Sequence, residues 1–310
     1  MKHDSSLARR ALSARKKVRQ SRPRGRECPR KSAAACLLAL DSDGTVFDSM
    51  RAKHERCFMP AFAAFFGSGA ERACLDEVWR FVNLGSRLRG ANRYAALAAA
   101  LRIGSRHPRI GSAMRRWEGT VGALEAWLAQ ESAPSKSRLE LALDARRADR
   151  LLALVLAWSH AVDEAIAGLP SVPPFRGAVA ALPLLAAGCE IMVLTSAPAA
   201  AIVREWEEAG LAPYAARVVG QERGRKAACL AAAMEGRFEA GRVLVVGDAP
   251  GDLEAARAVG AQFFPILHGR EEESWKSFSG EFLPGFLAGR PVISPIATFL
   301  ESLPANPSWL

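Results

Sequence analysis

Short apolar runs alternate with stretches of helical spacing along much of the chain. The apolar runs lie at residues 35–40, 190–194, 216–219, 242–246 and 262–267, and the helical stretches at 178–187, 198–209, 226–234 and 253–259. A short continuous apolar run is typical of a strand that is buried on both faces of a parallel sheet. Strands that alternate with helices of this length predict βαβ units and an α/β fold.

Residues 51–170 have a different pattern. They are rich in Ala, Leu and Arg at helical spacing and contain almost no β-branched runs, which predicts an all-helical block. The segment 169–177 after it is dense in Pro and Gly and is typical of a linker. We therefore predict a Rossmann-like core made of residues 35–50 and 171–310, with the all-helical block inserted after the first strand.

The composition is that of a globular protein. Of 310 residues, 50% are apolar and 24% are charged, which excludes the disordered and fibrous classes. No apolar run reaches the roughly 18 residues that a membrane span requires. We therefore expect no contact with a membrane interior.

The net charge of +10 is concentrated at the N-terminus. Residues 1–31 contain twelve Lys and Arg residues against two Asp and Glu residues, and the remainder is balanced. Because residues 1–34 have little apolar content, we expect a disordered basic tail, and it lacks the apolar segment of a secretory signal. Such a tail can contact nucleic acid or acidic lipid. We favour the simpler interpretation that this segment is a solvated extension, or that it results from a start codon wrongly assigned upstream of the true one.

The six cysteines are scattered without a Cys-x-x-Cys pair. This spacing fits neither a zinc site nor a disulfide framework. We expect most of them to be small buried hydrophobic residues, and we expect a reducing, cytoplasmic setting.

Carboxylates follow two of the predicted strands. Asp41 and Asp43 come directly after the first strand, and Asp248 and Asp252 come after the strand at 242–246. Ligands of open α/β sheets bind outside the carboxyl ends of the strands, so four carboxylates converge there if the two strands are neighbours. Such a concentration of negative charge requires a cation, and oxygen ligands favour Mg²⁺.

Hydroxyl groups and a lysine are predicted at the same edge. Thr195 and Ser196 end the strand at 190–194, and Lys226 begins a helix after another strand. We prefer Thr195 to Ser196 because it directly ends the apolar run. A nucleophilic acid, acids for a metal, a hydroxyl donor and a cation are the groups that phosphoryl transfer through an aspartyl phosphate requires.

These motifs resemble those of the haloacid dehalogenase-like (HAD) hydrolases. Asp41-Ser-Asp-Gly-Thr is similar to their D-x-D-G-T signature. Thr195, Lys226 and Gly247-Asp248-Ala-Pro-Gly-Asp252 resemble their second, third and fourth motifs, in the same order and each after a predicted strand. The resemblance covers residues 35–50 and 171–270. The all-helical block resembles the cap of the phosphoglycolate phosphatase and β-phosphoglucomutase branch, so we call residues 51–170 the cap.

The resemblance implies a role for each matched residue. Asp41 is the nucleophile that accepts the phosphoryl group, and Asp43 is the general acid and then the general base. Thr195 hydrogen-bonds the phosphoryl group, and Lys226 balances charge. The implied Mg²⁺ ligands are Asp41, the backbone carbonyl of Asp43, Asp248 and Asp252, the last either as a ligand or as a brace. The expected activity is a Mg²⁺-dependent phosphatase that acts on a small phosphorylated metabolite.

Three alternatives stay open at the level of sequence. A phosphomutase uses the same motifs but protects the aspartyl phosphate from water. A nucleic-acid phosphatase would give the basic tail a purpose. A non-catalytic binding module on a HAD scaffold would not require Asp41, Asp43 and Asp248 together. Dehalogenation needs neither a proton donor at Asp43 nor magnesium, so Asp43 and Asp248 favour phosphate chemistry.

The cap contains a polar loop between apolar stretches. Arg89, Asn92 and Arg93 cluster around Gly90 and resemble the substrate-facing loop of related caps, where the pattern Arg-Gly-x-x-Arg contacts a second phosphate. Arg suits two-point binding of phosphate or carboxylate. A solvated, Arg-rich loop explains the pattern as well. We expect His54, near the start of the cap, to be a packed residue.

Overall fold

The computed structural model describes residues 36–67, 69, 71–145 and 149–310. The prediction of a disordered basic tail at 1–34 lies outside these residues. Within them, five strands form one parallel sheet in the order β3-β2-β1-β4-β5. The strands are β1 (Cys36–Leu40), β2 (Cys189–Leu194), β3 (Arg217–Val219), β4 (Val243–Gly247) and β5 (Gln262–Pro265). The predicted parallel α/β sheet is therefore confirmed, and β1 lies at its centre.

The chain between β1 and β2 is helical, as predicted for the cap. Its α-helices are α1 (Ser49–Lys53), α2 (Met59–Phe66), α3 (Arg72–Leu84), α4 (Arg93–Gly104), α5 (Gly111–Met114), α6 (Glu118–Leu128), α7 (Lys136–Ala145) and α8 (Arg150–Ala167). A π-helical turn at His54–Phe58 joins α1 to α2, and a 3₁₀ turn at Arg115–Trp117 joins α5 to α6. These helices bury a hydrophobic core of their own, which contains Trp79, Trp158 and Phe62.

Helices also follow β2, β3, β4 and β5, and one precedes β2. They are α9 (Arg176–Gly188), α10 (Ala199–Glu208), α11 (Lys226–Met234), α12 (Pro250–Ala258), α13 (Glu271–Ser277), α14 (Leu283–Leu287) and α15 (Ile296–Glu301). A π-helical turn at Phe278–Phe282 makes α13 and α14 continuous, and 3₁₀ turns occupy Ala212–Tyr214, Gln221–Arg223 and Ala240–Arg242. None of the helices in the described residues is long and apolar enough to cross a membrane.

The central strands β1 and β4 are buried on both faces, which explains why they are continuous apolar runs. Alternate residues of β1 pack in opposite directions, as strand geometry requires. Leu38 contributes to a core that contains Trp206, whereas Ala39 contributes to a core that contains Phe299. All five residues of β1 are buried.

Two cysteines are paired, contrary to the expectation from their spacing. Cys36 in β1 and Cys189 in β2 form a disulfide and lie directly opposite each other in the parallel register. They are separated by 153 residues of sequence, so only the pairing of the two strands brings them together. The prediction of small buried residues holds for Cys57 and Cys74, which are free and buried.

Two tryptophans hold the loop that follows β1. The Nε1 of Trp206 donates to Ser42 Oγ at 3.0 Å, and the Nε1 of Trp275 donates to the Thr45 carbonyl at 2.9 Å. Gly44 has φ +82°, a conformation that favours glycine, and its N–H closes the turn on the Phe47 carbonyl at 2.8 Å. The loop that carries Asp41 and Asp43 is therefore fixed by contacts from the core.

Candidate active site

Three neighbouring strands end in polar residues at one edge of the sheet. Asp41 follows β1, Thr195 follows β2 and Asp248 follows β4. Because β1 pairs with both β2 and β4, Asp41 lies between the other two. The backbone N–H groups of Asp41 and Thr195 continue the sheet hydrogen bonds, to the carbonyls of neighbouring strands at 3.0 Å. β1 and β4 are therefore neighbours, as the predicted convergence of their carboxylates requires.

Lys226 joins two of the carboxylates. It is the first residue of α11, and its Nζ donates to Asp41 Oδ1 and to Asp252 Oδ1 at 2.7 Å each. Asp252 lies in the first turn of α12 and accepts the N–H of Ala249 at 3.1 Å. A carboxylate oxygen of Asp248 lies within 4.8 Å of oxygens of Asp41 and Asp252. The four predicted residues Asp41, Lys226, Asp248 and Asp252 therefore lie together at the end of the sheet.

The charges of these four residues act on the pKa values of Asp41, Asp252 and Lys226. Burial raises the pKa of Asp41 well above its usual value, and the charges of Asp252 and Asp248 act in the same direction, against Lys226. Burial also raises the pKa of Asp252. For Lys226, burial alone would lower the pKa, but Asp252 and Asp41 raise it above the usual value. Lys226 pairs with Asp41 and Asp252 but not with Asp248, so the three neighbouring acids favour further positive charge.

The three acids fit a magnesium ion. Asp41, Asp248 and Asp252 each offer a carboxylate oxygen, and these atoms lie within 4.8 Å of one another. All three residues are buried. Carboxylate oxygens are hard ligands, so a compact set of them favours Mg²⁺ over softer metal ions.

Arg89 of the cap binds one of these acids. Its Nε and Nη2 approach Asp248 Oδ2 at 2.7 and 2.5 Å, and its Nε also donates to the Asp248 carbonyl at 3.1 Å. The other carboxylate oxygen of Asp248 accepts the hydroxyl of Thr45 at 2.9 Å. The side chains of Arg89 and Asp248 are 1% and 0% exposed. A guanidinium from the cap therefore neutralises a carboxylate of the acid cluster.

Asp43 is held by residues at the start of the cap. Its carboxylate accepts Lys53 Nζ at 2.5 Å and the hydroxyl of Ser49. Burial alone would raise the pKa of Asp43, but the charge and hydrogen bond of Lys53 outweigh burial and lower it. Lys53 also faces Glu205 at 3.8 Å. The carboxylate of Asp43 is thus kept ionised and bound to α1.

A cavity of about 330 Å³ lies between the acid cluster and the cap. The predicted residues that line it are Asp41, Asp43, Arg93, Thr195, Ser196 and Lys226. Thr195 is buried, and its Oγ1 accepts the N–H of Ala197 at 3.1 Å, whereas Ser196 is exposed. The assignment of Thr195 rather than Ser196 as the hydroxyl that binds the phosphoryl group stays a prediction.

Two of the predicted substrate-binding residues do not line this cavity. Arg89 binds Asp248 instead. Asn92 begins α4, where its Oδ1 accepts the N–H of Tyr94 at 3.0 Å, and its Nδ2 donates to the Pro134 carbonyl at 2.8 Å. Asn92 thus has the role of a helix N-cap.

A family model for haloacid dehalogenase-like hydrolases matches residues 37–260. The chain belongs to the haloacid dehalogenase-like hydrolases. The matched residues run from β1 to the end of α12 and contain the whole acid cluster with Lys226. The family that the sequence motifs resemble is therefore confirmed.

Solved structures that are similar to this HAD-like hydrolase have low sequence identity. A predicted phosphoglycolate phosphatase from Haemophilus somnus 129pt is 13% identical, with 75% of this chain and 85% of that chain covered and a TM-score of 0.45. A putative β-phosphoglucomutase from Bacteroides vulgatus is 17% identical, with 79% and 82% covered and a TM-score of 0.41. A putative haloacid dehalogenase-like hydrolase from Bacteroides fragilis is 14% identical, with 77% and 92% covered and a TM-score of 0.48. A comparison with curated proteins gives no match.

Two contacts of this HAD-like hydrolase were not predicted from its sequence. Ser49 and Lys53 both bind Asp43, and their spacing of four residues places them on one face of α1. That spacing is the signal that could have identified them. His54 is a packed residue as expected, because Trp79 Nε1 donates to its Nδ1 at 3.0 Å, but it also lines the cavity.

Proposed function

We propose that this HAD-like hydrolase is a Mg²⁺-dependent phosphatase that acts on a small phosphorylated metabolite through an aspartyl phosphate at Asp41. The observation that carries this proposal is the group of Asp41, Asp248, Asp252 and Lys226 at the end of the sheet, open to a cavity of about 330 Å³. A nucleophilic carboxylate beside a fixed ammonium group suits attack on a dianionic phosphate ester.

The proposed reaction has two displacements at phosphorus. Asp41 attacks the phosphorus atom, the bond to the ester oxygen breaks, and Asp43 gives its proton to the leaving alcohol. Asp43 then takes a proton from water, which attacks the phosphorus and releases phosphate and free Asp41. Lys226 and the Thr195 hydroxyl hold the phosphoryl oxygens in both steps.

Asp43 must change its partners before it can act as the acid. Its carboxylate is bound by Lys53 and Ser49, and these contacts favour the ionised form. We infer that Asp43, which already lines the cavity, releases Lys53 and takes up a proton when the substrate enters. Lys53 then has Glu205 as its remaining carboxylate neighbour at 3.8 Å.

Asp41, Asp248 and Asp252 would hold the magnesium ion. When bound, Mg²⁺ offsets the negative charge that the phosphoryl group brings to these acids. Closure of the cap over the site is part of the proposal, because a closed cap excludes bulk water from the aspartyl phosphate. A cytoplasmic location is also part of it, and it implies that Cys36 and Cys189 are reduced in the cell.

Hydrolysis of p-nitrophenyl phosphate tests this proposal. We expect release of nitrophenol by the full chain with Mg²⁺, and loss of release with EDTA or with Asp41→Asn. Asp48→Asn is the matched control, because Asp48 lies in the same loop and its carboxylate pairs with the exposed Arg51. The proposal is wrong if Asp41→Asn and Asp48→Asn retain equal Mg²⁺-dependent activity, or if neither this ester nor a panel of metabolite phosphates is hydrolysed.

A further inference from the structure

The part of the cavity beyond the acid cluster contains cations that are already paired. Among the described residues that line it there, each basic side chain has a carboxylate within 4.0 Å. The pairs are Lys53 with Asp43 at 2.5 Å and with Glu205 at 3.8 Å, Arg93 with Asp163 at 2.6 Å, and the exposed pair of Arg204 with Glu208 at 3.9 Å. A substrate that enters this part of the cavity therefore meets, among the described residues that line it, no cation that lacks a carboxylate within 4.0 Å.

Arg93 is held by several contacts. Its Nη1 donates to Asp163 Oδ1 at 2.6 Å and to Ser159 Oγ at 3.1 Å. Its guanidinium lies over the ring of Phe58, 5.3 Å from the ring centre. The second oxygen of Asp163 accepts Lys136 Nζ at 2.8 Å. Asp163 therefore uses both of its oxygens to bind cations and keeps Arg93 against the cavity wall.

The wall between these ion pairs is apolar. It is formed by Met50, Phe58, Ile166, Pro198 and Ala201. A carboxylate or a second phosphate placed against such a wall would lose its hydration and gain no unpaired cation in return. An uncharged group with apolar surface would gain from the same contact.

We propose that the leaving group of the substrate is an uncharged, partly apolar alcohol, and that Asp163 sets this preference by holding Arg93 away from the substrate. The inference rests on the proposed phosphatase activity and names the class of ester that the site takes. Lys226 and Thr195 bind the phosphoryl group in every ester, so Asp163 affects the choice of leaving group alone.

Two esters of matched size test the preference. The probes are 4-(hydroxymethyl)benzyl phosphate and 4-carboxybenzyl phosphate, which differ by one negative charge on the leaving group. Phosphate release with Mg²⁺ gives kcat and KM for each. We expect the wild-type chain to have a kcat/KM that is about tenfold or more higher for the uncharged ester. The carboxylate of the charged ester would lose its hydration without gaining a charge-assisted hydrogen bond, and about tenfold is the contribution of one such bond.

Asp163→Asn frees Arg93 for the charged ester. We expect kcat/KM for 4-carboxybenzyl phosphate to rise by about tenfold, mainly through KM, with little change for the uncharged ester. The double variant Asp163→Asn/Arg93→Gln should lose this gain, because Arg93 lines the cavity, whereas Lys136, which Asp163 also releases, does not. Glu164→Gln is the matched control, since it removes an exposed charge from the next position of α8 and should leave both values unchanged.

The outcomes separate this inference from the proposed function. Hydrolysis of p-nitrophenyl phosphate without a preference for the uncharged benzyl ester overturns this inference alone. An equal effect of Asp163→Asn on both benzyl esters also overturns it, because a structural role of Asp163 would change both. No hydrolysis of any phosphate ester overturns the proposed function and the inference with it.

Discussion

The contact between Arg89 and Asp248 makes a sharp prediction about stability and magnesium. Both side chains are almost completely buried, and Arg89 belongs to the loop before α4 whereas Asp248 follows β4. In Arg89→Gln, Asp248 keeps its hydrogen bond from Thr45 but loses its guanidinium. Removal of one partner of a buried ion pair costs about 3–5 kcal/mol. We therefore expect the free energy of unfolding to fall by about that amount in EDTA.

Magnesium should recover part of this loss. In the wild-type chain, Mg²⁺ and Arg89 both act on Asp248, so a bound cation weakens or replaces an existing ion pair. In Arg89→Gln no such competitor exists, and we expect a lower Kd for Mg²⁺. A tenfold lower Kd adds about 1.4 kcal/mol to the stability of the variant at saturating Mg²⁺. The difference in the free energy of unfolding between the variant and the wild type should therefore be about 1.4 kcal/mol smaller in saturating Mg²⁺ than in EDTA.

Urea unfolding in EDTA and in saturating Mg²⁺ measures both effects, and titration calorimetry gives the Kd directly. Arg87→Gln is the matched control, because Arg87 lies two positions away in the same loop and is exposed. We expect it to be neutral in both conditions. A loss below about 1 kcal/mol in EDTA would show that the buried pair is not formed. A full loss that Mg²⁺ does not reduce would show that Arg89 and Mg²⁺ do not compete for Asp248.

Three further predictions concern other parts of the fold. Gly44→Ala should lower the free energy of unfolding by about 2 kcal/mol, because the φ of Gly44 is +82° and a Cβ there would overlap Asp248. Urea unfolding measures this loss. Gly251→Ala is the control, because a Cβ at Gly251 would meet no atom within 4 Å. Burial lowers the pKa of His54 to about 3, so stability should fall as pH drops below about 6.5, by up to about 1.4 kcal/mol per unit. His54→Gln should flatten that slope in urea titrations. The Cys36–Cys189 disulfide joins residues that are 153 positions apart, so its reduction should lower the free energy of unfolding by up to about 5 kcal/mol. Thermal scans with and without dithiothreitol should show this as a lower Tm of the reduced wild-type chain. The double variant Cys36→Ser/Cys189→Ser is the control, and its Tm should not depend on dithiothreitol.

The acid cluster could be predicted from the sequence because local signals define it. Asp41 and Asp248 each follow a continuous apolar run, and such a run indicates a strand buried on both faces whatever its partners are. The carboxyl ends of parallel strands meet at one edge of a sheet, so the two acids converge once the strands are neighbours. Lys226 required more, since only its place at the start of a helix pointed to the same edge.

The disulfide could not be predicted because strand register is not a local property. Cys36 and Cys189 lie at the first positions of β1 and β2, and a shift of one residue would turn one of them to the opposite face of the sheet. Sequence spacing contains no information on that register. The structure corrects the expectation through the pairing of two strands that are separated by the whole cap.

The ion-pair partners of the arginines in the polar loop of the cap also could not be predicted from the sequence. The sequence predicted that Arg89, Asn92 and Arg93 face the substrate together. The structure separates them, because Arg89 finds Asp248 at a distance of 159 residues along the chain and Arg93 finds Asp163 at a distance of 70 residues. A short cluster of basic residues indicates that anions are bound nearby, but the tertiary fold decides whether those anions come from the protein or from a ligand. Since Asp248 binds Arg89 and Asp163 binds Arg93, neither of these two arginines offers an unpaired guanidinium for the expected second-phosphate contact, and we expect the apolar wall to select the leaving group.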